Sequence, residues 1–329
     1  MTLRGYVFKS ILLMVFIAGM ASAGTFAQGD VLVAIGNSEV NVFTPTGTLV
    51  TTLNDTSGST FTTGMVFDAS GNLYVTNFSL GTVSQFDPNG NLLNSSFMAG
   101  GLSSPESILV NMAGNFYVTG PSAAQVNGYS AAGGSPTNTF NVQGGNGTGG
   151  TDWSDLAADQ KTLLYDGEGT EILSYNLATQ TQNAAFATGL PGSSVFEFRI
   201  IPGGAFSGDV LAADSSAAIL LSSTGTVLQT YTLPGNQGGD FALNLDPNGT
   251  DFWTADYNSG NVWEVNISTG AIDAQFNSGA PGTTFGLVVA GQITAGGPPG
   301  TPEPATFGLF ASGLVGLALW ARRKRQTKA

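Results

Sequence analysis

One strand pattern recurs six times in the middle of this chain, and its spacing limits the folds available more than any other feature. Asp30 is followed by VLVAIG, Asn72 by LYVTN, Asn115 by FYVTG, Lys161 by TLLYDG, Gly208 by DVLAAD and Thr250 by DFWTAD. The equivalent apolar positions Val31, Leu73, Phe116, Leu163, Val210 and Phe252 are 42, 43, 47, 47 and 42 residues apart. An interval of ~40–50 residues holding four short strands is one blade of a β-propeller. The second repeat displays all four strands: Gly64-MVFD, Asn72-LYVTN, Thr82-VSQFD and Asn91-LLNSSF. The first repeat opens directly on its second strand at Asp30, and the last apolar segment, Phe285-GLVVAG, has no partners after it. Placing that segment as the innermost strand of the first blade closes the ring and removes the open sheet edge. The expected fold is therefore all-β, a six-bladed propeller closed by a C-terminal strand that completes the first blade. A β-sandwich is the alternative, but it does not require a repeat of this length.

Charge separates the two ends from this middle. The chain holds 9 Lys and Arg against 22 Asp and Glu, for a net charge of −13. Arg4 and Lys9 lie at the start, and Arg322, Arg323, Lys324, Arg325 and Lys328 at the end. Only Lys161 and Arg199 lie between, facing 21 of the acids, so the central region carries −19. A surface this acidic excludes nucleic acid as a partner. With no Cys and no His in its 329 residues, the chain also lacks thiolate nucleophiles, Cys/His zinc sites and an imidazole base.

The ends read as targeting segments. Arg4 and Lys9 precede the apolar run from Ile11 to Ala18, and Ala21 and Ala23 supply the small residues of an A-x-A cleavage site. This layout predicts a signal peptide over 1–23. The propeller is expected over 24–294, followed by a linker rich in Gly and Pro over 295–304. Residues 305–321 form a 17-residue uncharged stretch with Trp320 at its end. As a helix rising ~1.5 Å per residue it is about 26 Å long, close to the thickness of a hydrocarbon core. The cations from Arg322 to Arg325 hold the tail, 322–329, on the cytoplasmic side. The chain is thus expected to cross the inner membrane and stay anchored by its C-terminal helix.

Pro302-Glu303-Pro304, the short apolar stretch and the Arg322-Arg323-Lys324-Arg325 cluster together resemble the PEP-CTERM sorting signal. The resemblance covers about the last 28 residues. It implies a protein of a Gram-negative envelope, recognised at this signal by an exosortase, a membrane cysteine protease. Such a protein is first anchored, then processed toward the cell surface or the extracellular space, often in species that make exopolysaccharide.

Within the repeats, Gly64-MVFDASGNLYVTN with Gly81-TVSQFDPNG resembles the NHL-repeat and gluconolactonase-like six-bladed propellers. Glu106-SILVNMAGNFYVTG and Phe241-ALNLDPNGTDFWTAD are further copies. WD-repeat propellers match less well, since no blade has the Gly-His and Trp-Asp pair. The gluconolactonase-like enzymes hold a divalent metal with a Glu entering an innermost strand and Asn or Asp from other blades. Here the strand entries are Thr63-Gly64, Glu106-Ser107, Ser154-Asp155, Glu197-Phe198, Phe241-Ala242 and Phe285-Gly286, with no Asn-Gly or Asp-Gly pair.

In an antiparallel blade with strands a to d from the axis outward, the loop entering a and the loop after b open at one end. The a–b and c–d turns open at the other. Asp68-Ala-Ser-Gly71, Asp87-Pro-Asn-Gly90 and Asp246-Pro-Asn-Gly249 fall at the latter as turn-forming residues. The opposite end collects Asn77, Asp166, Asp214 and Asp256 after strand b. Thr63, Glu106, Ser154, Glu197, Asp152 and Asp240 gather there near strand a. The candidate metal ligands are Glu106, Glu197, Asp166, Asp214 and Asp256. Oxygen-only donors favour a hard cation, Ca²⁺ or Mg²⁺; the other reading is solvated loop acids with no cofactor. The run from Asp166 to Glu171, DGEGTE, looks like a calcium loop but lacks EF-hand spacing, and the glycines from Gly144 to Gly150 read as a flexible connection.

Two functions follow. The first is an exported, envelope-anchored propeller without catalytic residues, a surface or matrix scaffold whose partners are exopolysaccharide or another surface protein. The second is a divalent-metal-dependent lactonase-like hydrolase or lyase.

Overall fold

Strand b of each repeat is apolar at consecutive positions, whereas a strand with one wet face alternates. In the computed structural model, which describes residues 26–101 and 103–297, both faces of strand b are covered. Val31 and Val33 pack against Ala242, Trp253 and Val262 on one side. Leu32 and Ala34 pack against Met65, Leu73 and Phe86 on the other. Each fully buried side chain of this kind contributes about 1.5–3 kcal/mol. The same sandwiching recurs at every blade boundary, so six apolar layers fill the six seams.

The strands form six antiparallel sheets. Blade 1 is Gly286–Val289, Val31–Gly36, Glu39–Phe43 and Leu49–Asn54. Blade 2 is Thr62–Phe67, Leu73–Asn77, Thr82–Phe86 and Leu92–Ala99. Blade 3 is Ser107–Val110, Phe116–Thr119, Gln125–Tyr129 and Asn138–Asn141. In blade 4, Ser154–Leu156, Thr162–Tyr165 and Glu171–Asn176 are followed by an outer strand split into Thr181–Gln182 and Ala187–Thr188. Blade 5 is Val195–Ile200, Val210–Asp214, Ala217–Leu221 and Val227–Tyr231. Blade 6 is Asp240–Leu245, Asp251–Asp256, Asn261–Asn266 and Ile272–Asn277. The fold is the expected six-bladed propeller, and Gly286–Val289 pairs with Val31–Ala34 to close blade 1 as the repeat arithmetic requires.

The innermost strands touch their neighbours all the way round. Two of these contacts are backbone to backbone: a Cβ at Gly64 would run into the Glu106 carbonyl, and one at Gly286 into that of Thr63. Strand d, outermost, is polar and half exposed, as in Ile272–Asn277.

The end carrying the a–b and c–d turns is called lower here. Asp68 Oδ1 accepts the N–H groups of Ser70 and Asn72, and Asp87 Oδ1 those of Asn89 and Asn91, so these acids close turns as expected. After closing blade 1 the chain crosses the lower end. Gly291 lies beside Gln28 and Pro247, and Ile293 packs on the layer between blades 5 and 6. Ala295 packs on the layer between blades 4 and 5, and the Gly296 carbonyl accepts from Gln160 Nε2 at 2.8 Å. The first three residues of the expected linker are thus docked on the domain. The expected signal peptide with Ala21 and Ala23, Pro302-Glu303-Pro304, the stretch 305–321 and the cluster from Arg322 to Arg325 lie outside the described residues. Among the described residues no helix is long and apolar enough to cross a membrane.

Candidate functional site

The hairpin registers define one position that every blade repeats at the upper end. Val289, Phe67, Val110, Leu156, Ile200 and Leu245 are each paired with the first apolar residue of strand b. Four residues upstream of them stand Phe285, Thr63, Glu106, Asp152, Phe196 and Phe241, in blades 1 to 6. Three adjacent blades therefore present Phe, and two adjacent blades present a carboxylic acid. In blades 5 and 6 the register slips between Val195 and Glu197 and between Asp240 and Ala242, leaving Phe196 and Phe241 in β-bulges. A bulge re-aims the side chain of its extra residue.

The aromatic side is continuous. Phe196 stacks on Phe241 at 4.5 Å, Phe241 meets Phe285 at 6.1 Å, and Tyr257 meets Phe285 at 5.1 Å. Phe61 extends the arc from Phe285 at 4.8 Å toward Phe78 at 6.0 Å. Most of these rings are half-buried, and Phe61 is 39% exposed. Between blades 5, 6 and 1, Phe196, Phe241, Tyr257 and Phe285 line a cavity of about 280 Å³, whose polar edge is made by Ser193, Ser215 and Asn258.

The acidic side is buried. Glu106, Asp152 and Glu168 bring carboxylate oxygens within 4.8 Å of one another. Asp152 and Asp166 are fully covered; neither oxygen of Asp152 finds a donor, nor does Oδ2 of Asp166. Desolvation pushes Glu106 up to about 7, opposed by its contact with the Asp152 carboxyl and helped by the charge of Glu168. Desolvation, with the charges of the surrounding acids, holds Asp152 and Asp166 far above the usual carboxylate range, and burial raises Glu168. Two loops build this corner. The glycines from Gly144 to Gly150 pack on the run from Asp166 to Glu171: Thr148 N donates to the Gly167 carbonyl at 2.7 Å, and Thr170 N to Asn146 Oδ1 at 3.0 Å. The glycine-rich stretch is a cover for the acidic loop, since side chains at Gly145 or Gly147 would strike that loop's backbone.

Arg199 stands between the two sides. Its guanidinium donates to Glu197 Oε1 at 3.1 Å and lies 5.1 Å from the centre of the Trp153 ring. Burial raises Glu197 to about 8 even with Arg199 beside it, and raises Asp155, which Arg199 opposes. Asp240, also buried, is pushed up to about 8 by desolvation although Thr254 Oγ1 donates to it.

The five candidate ligands divide among these places. Glu106 and Asp166 lie together, with Asp152 and Glu168. Glu197 pairs with Arg199. Asp214 accepts the Gly192 N–H at 2.8 Å, and burial raises it. Asp256 accepts from Gln237 N, Asn258 N and Ser259 Oγ. Glu168 was not among the expected ligands; its signal was the Asp166-Gly-Glu168 run, which the EF-hand comparison set aside. The aromatic arc was legible only as isolated phenylalanines before strand a.

Residues 301–325 match the PEP-CTERM protein-sorting motif. The chain carries that sorting motif. A PEP-CTERM motif marks a protein for export and surface sorting in Gram-negative bacteria, with processing by an exosortase. No curated protein matches the chain in sequence. In fold, the chain is similar to one chain of the crystal structure of a nidogen/laminin complex, with a TM-score of 0.60 at 16% identity, covering 78% of this chain and 97% of that one. It is also similar to the WD40 β-propeller domain of Doa1, with a TM-score of 0.56 at 12% identity, covering 77% and 80%.

Proposed function

We propose that this PEP-CTERM protein is an envelope-anchored binding module that takes a chain of exopolysaccharide on the upper end of its propeller. The observation that carries this reading is the arc of half-buried rings around the cavity between blades 5, 6 and 1. The negative face of an aromatic ring attracts the weakly positive C–H groups on the face of a sugar. The hydroxyls of Ser193 and Ser215 and the amide of Asn258 supply directional hydrogen bonds at the rim. A pocket that is mostly apolar with a few convergent polar groups is the usual form of a small-ligand site. A hydrolytic reading needs Glu106, Glu197, Asp166, Asp214 and Asp256 to share one ligand, and they are spread over several places; binding needs no such convergence. Anchoring rests on the apolar stretch 305–321 and the basic tail.

Affinity electrophoresis through gels containing the host's own exopolysaccharide tests the binding. Retardation that disappears in Phe241→Ala is the expected result; unretarded wild-type protein overturns it. Sorting has a separate test in the host, where Glu303→Ala is expected to block release from the membrane fraction.

A further inference from the structure

We propose that the upper end of the seam between blades 3 and 4 is a divalent-cation site, suited to Ca²⁺, formed by Glu106, Asp152 and Glu168 with Asp166 beside them. Two oxygens bound to one Ca²⁺ at about 2.4 Å each lie no more than about 4.8 Å apart. The carboxylates of Glu106, Asp152 and Glu168 meet that bound as they stand. Three atoms make the cluster more than a group of acids. Both oxygens of Asp152 and Oδ2 of Asp166 are buried with no hydrogen-bond donor, and a buried polar atom left so carries a cost that a bound cation removes.

No basic side chain among the described residues plays that part. The only cations among the described residues are Lys161 and Arg199. Arg199 is held by Glu197 and Trp153, and Lys161 is exposed on the a–b turn of blade 4, at the lower end. The loop is set in advance. Glu168 sits at φ 57°, a left-handed conformation that a non-glycine residue adopts only when its surroundings impose it. Those surroundings are the glycine cover: Asn146 N donates to Glu171 Oε1, and Thr148 N to the Gly167 carbonyl. Donors that are all carboxylate oxygen select a hard cation, and an irregular group of three or four fits the flexible shell of Ca²⁺ better than the strict octahedron of Mg²⁺.

The test uses the full-length protein in detergent micelles. Calorimetric titration with Ca²⁺ is followed by Tb³⁺ luminescence excited through tryptophan, because Trp153 is the chain neighbour of Asp152. Extracellular Ca²⁺ modules bind at about 10⁻⁴–10⁻³ M, so a titration to about 10 mM covers the range. One saturable site per chain is expected, weakened at least tenfold (about 1.4 kcal/mol) in Asp152→Asn and in Glu168→Gln. Asp87→Asn, on a lower turn, is expected to bind like wild type. Glu168 is only partly buried, so Glu168→Gln remains informative if Asp152→Asn does not fold. Absence of saturable binding, or binding unchanged in Glu168→Gln, overturns the proposal.

Discussion

Phe241 and Asp152 occupy the same position in two blades of one ring, yet they set opposite conditions on the fold. The phenylalanines of blades 5, 6 and 1 are content when half-buried, because apolar surface leaves water at a gain and the remaining ring faces can wait for a ligand. Glu106 and Asp152, which hold that position in blades 3 and 4, are buried, and a buried carboxylate needs a proton, a cation or a donor to stay there. Symmetry of the backbone therefore does not carry over into symmetry of function. One side of the upper end offers a surface, and the other presents unmet charge. Arg199 marks the border, the one place among the described residues where a buried acid is paired with a basic side chain.

The sharpest way to break this division is at the border itself. Arg199→Ala leaves Glu197 and Asp155 buried without a counter-charge, and is expected to cost about 3–5 kcal/mol of stability in denaturant titrations. A loss below about 1 kcal/mol would mean that the acids on this side tolerate burial without charge compensation. Next in size, Phe241→Ala removes the ring shared by Phe196 and Phe285; for a half-buried side chain a loss of about 2 kcal/mol is expected. Its effect should fall on the aromatic side alone, leaving Ca²⁺ titration unchanged.

A pH series sharpens the comparison further. Asp240 titrates at about 8 in the folded chain, against its ordinary value of 3.8. The folded state then binds the extra proton, so the contribution of Asp240 to stability is full below the ordinary value and is lost as the pH rises through about 8. Thermal unfolding between pH 5 and pH 8 should show stability falling with a slope of at most about 1.4 kcal/mol per pH unit for this one proton. Asp240→Asn, which mimics the neutral acid, is expected to remove that part of the slope; an identical slope in the variant would assign it to another group. The smallest effect is expected of Phe61→Ala at the exposed end of the arc. Stability should change by under about 1 kcal/mol while retardation on polysaccharide gels weakens.

The blades were legible in the sequence because strand b is covered on both faces, so VLVAIG, FYVTG and DFWTAD stay apolar in a way that turns and outer strands do not. Closure was legible because the first repeat lacked the strand that Phe285-GLVVAG supplies. The upper position was harder. The bulge at Phe196 adds a residue without leaving a mark in the spacing, so Glu197 seemed to enter its strand where Phe196 does. Asp152 and Glu168 belong to one cluster only because Gly144 to Gly150 fold back over the second of them, a contact between backbones that residue types do not announce. The docking of Ala295 to Gly297 depends on Leu156 and Gln160, far away in the chain, so composition alone read those residues as free linker.

Those docked residues set a clearance. Phe26 packs on Phe67 at the lower end, and Gly297 lies there too, beside the Val110 carbonyl, so both ends of the described chain leave from one side of the disc. Three residues, four Cα-to-Cα steps, separate Gly297 from Thr301, where the sorting motif begins. A leash of that length reaches at most about 14 Å. An enzyme that grips the start of the motif therefore works within about 14 Å of the underside of the propeller. Whatever grips this short leash also fixes which way the disc looks, with the aromatic rings and the buried acids turned away from the hand that holds it.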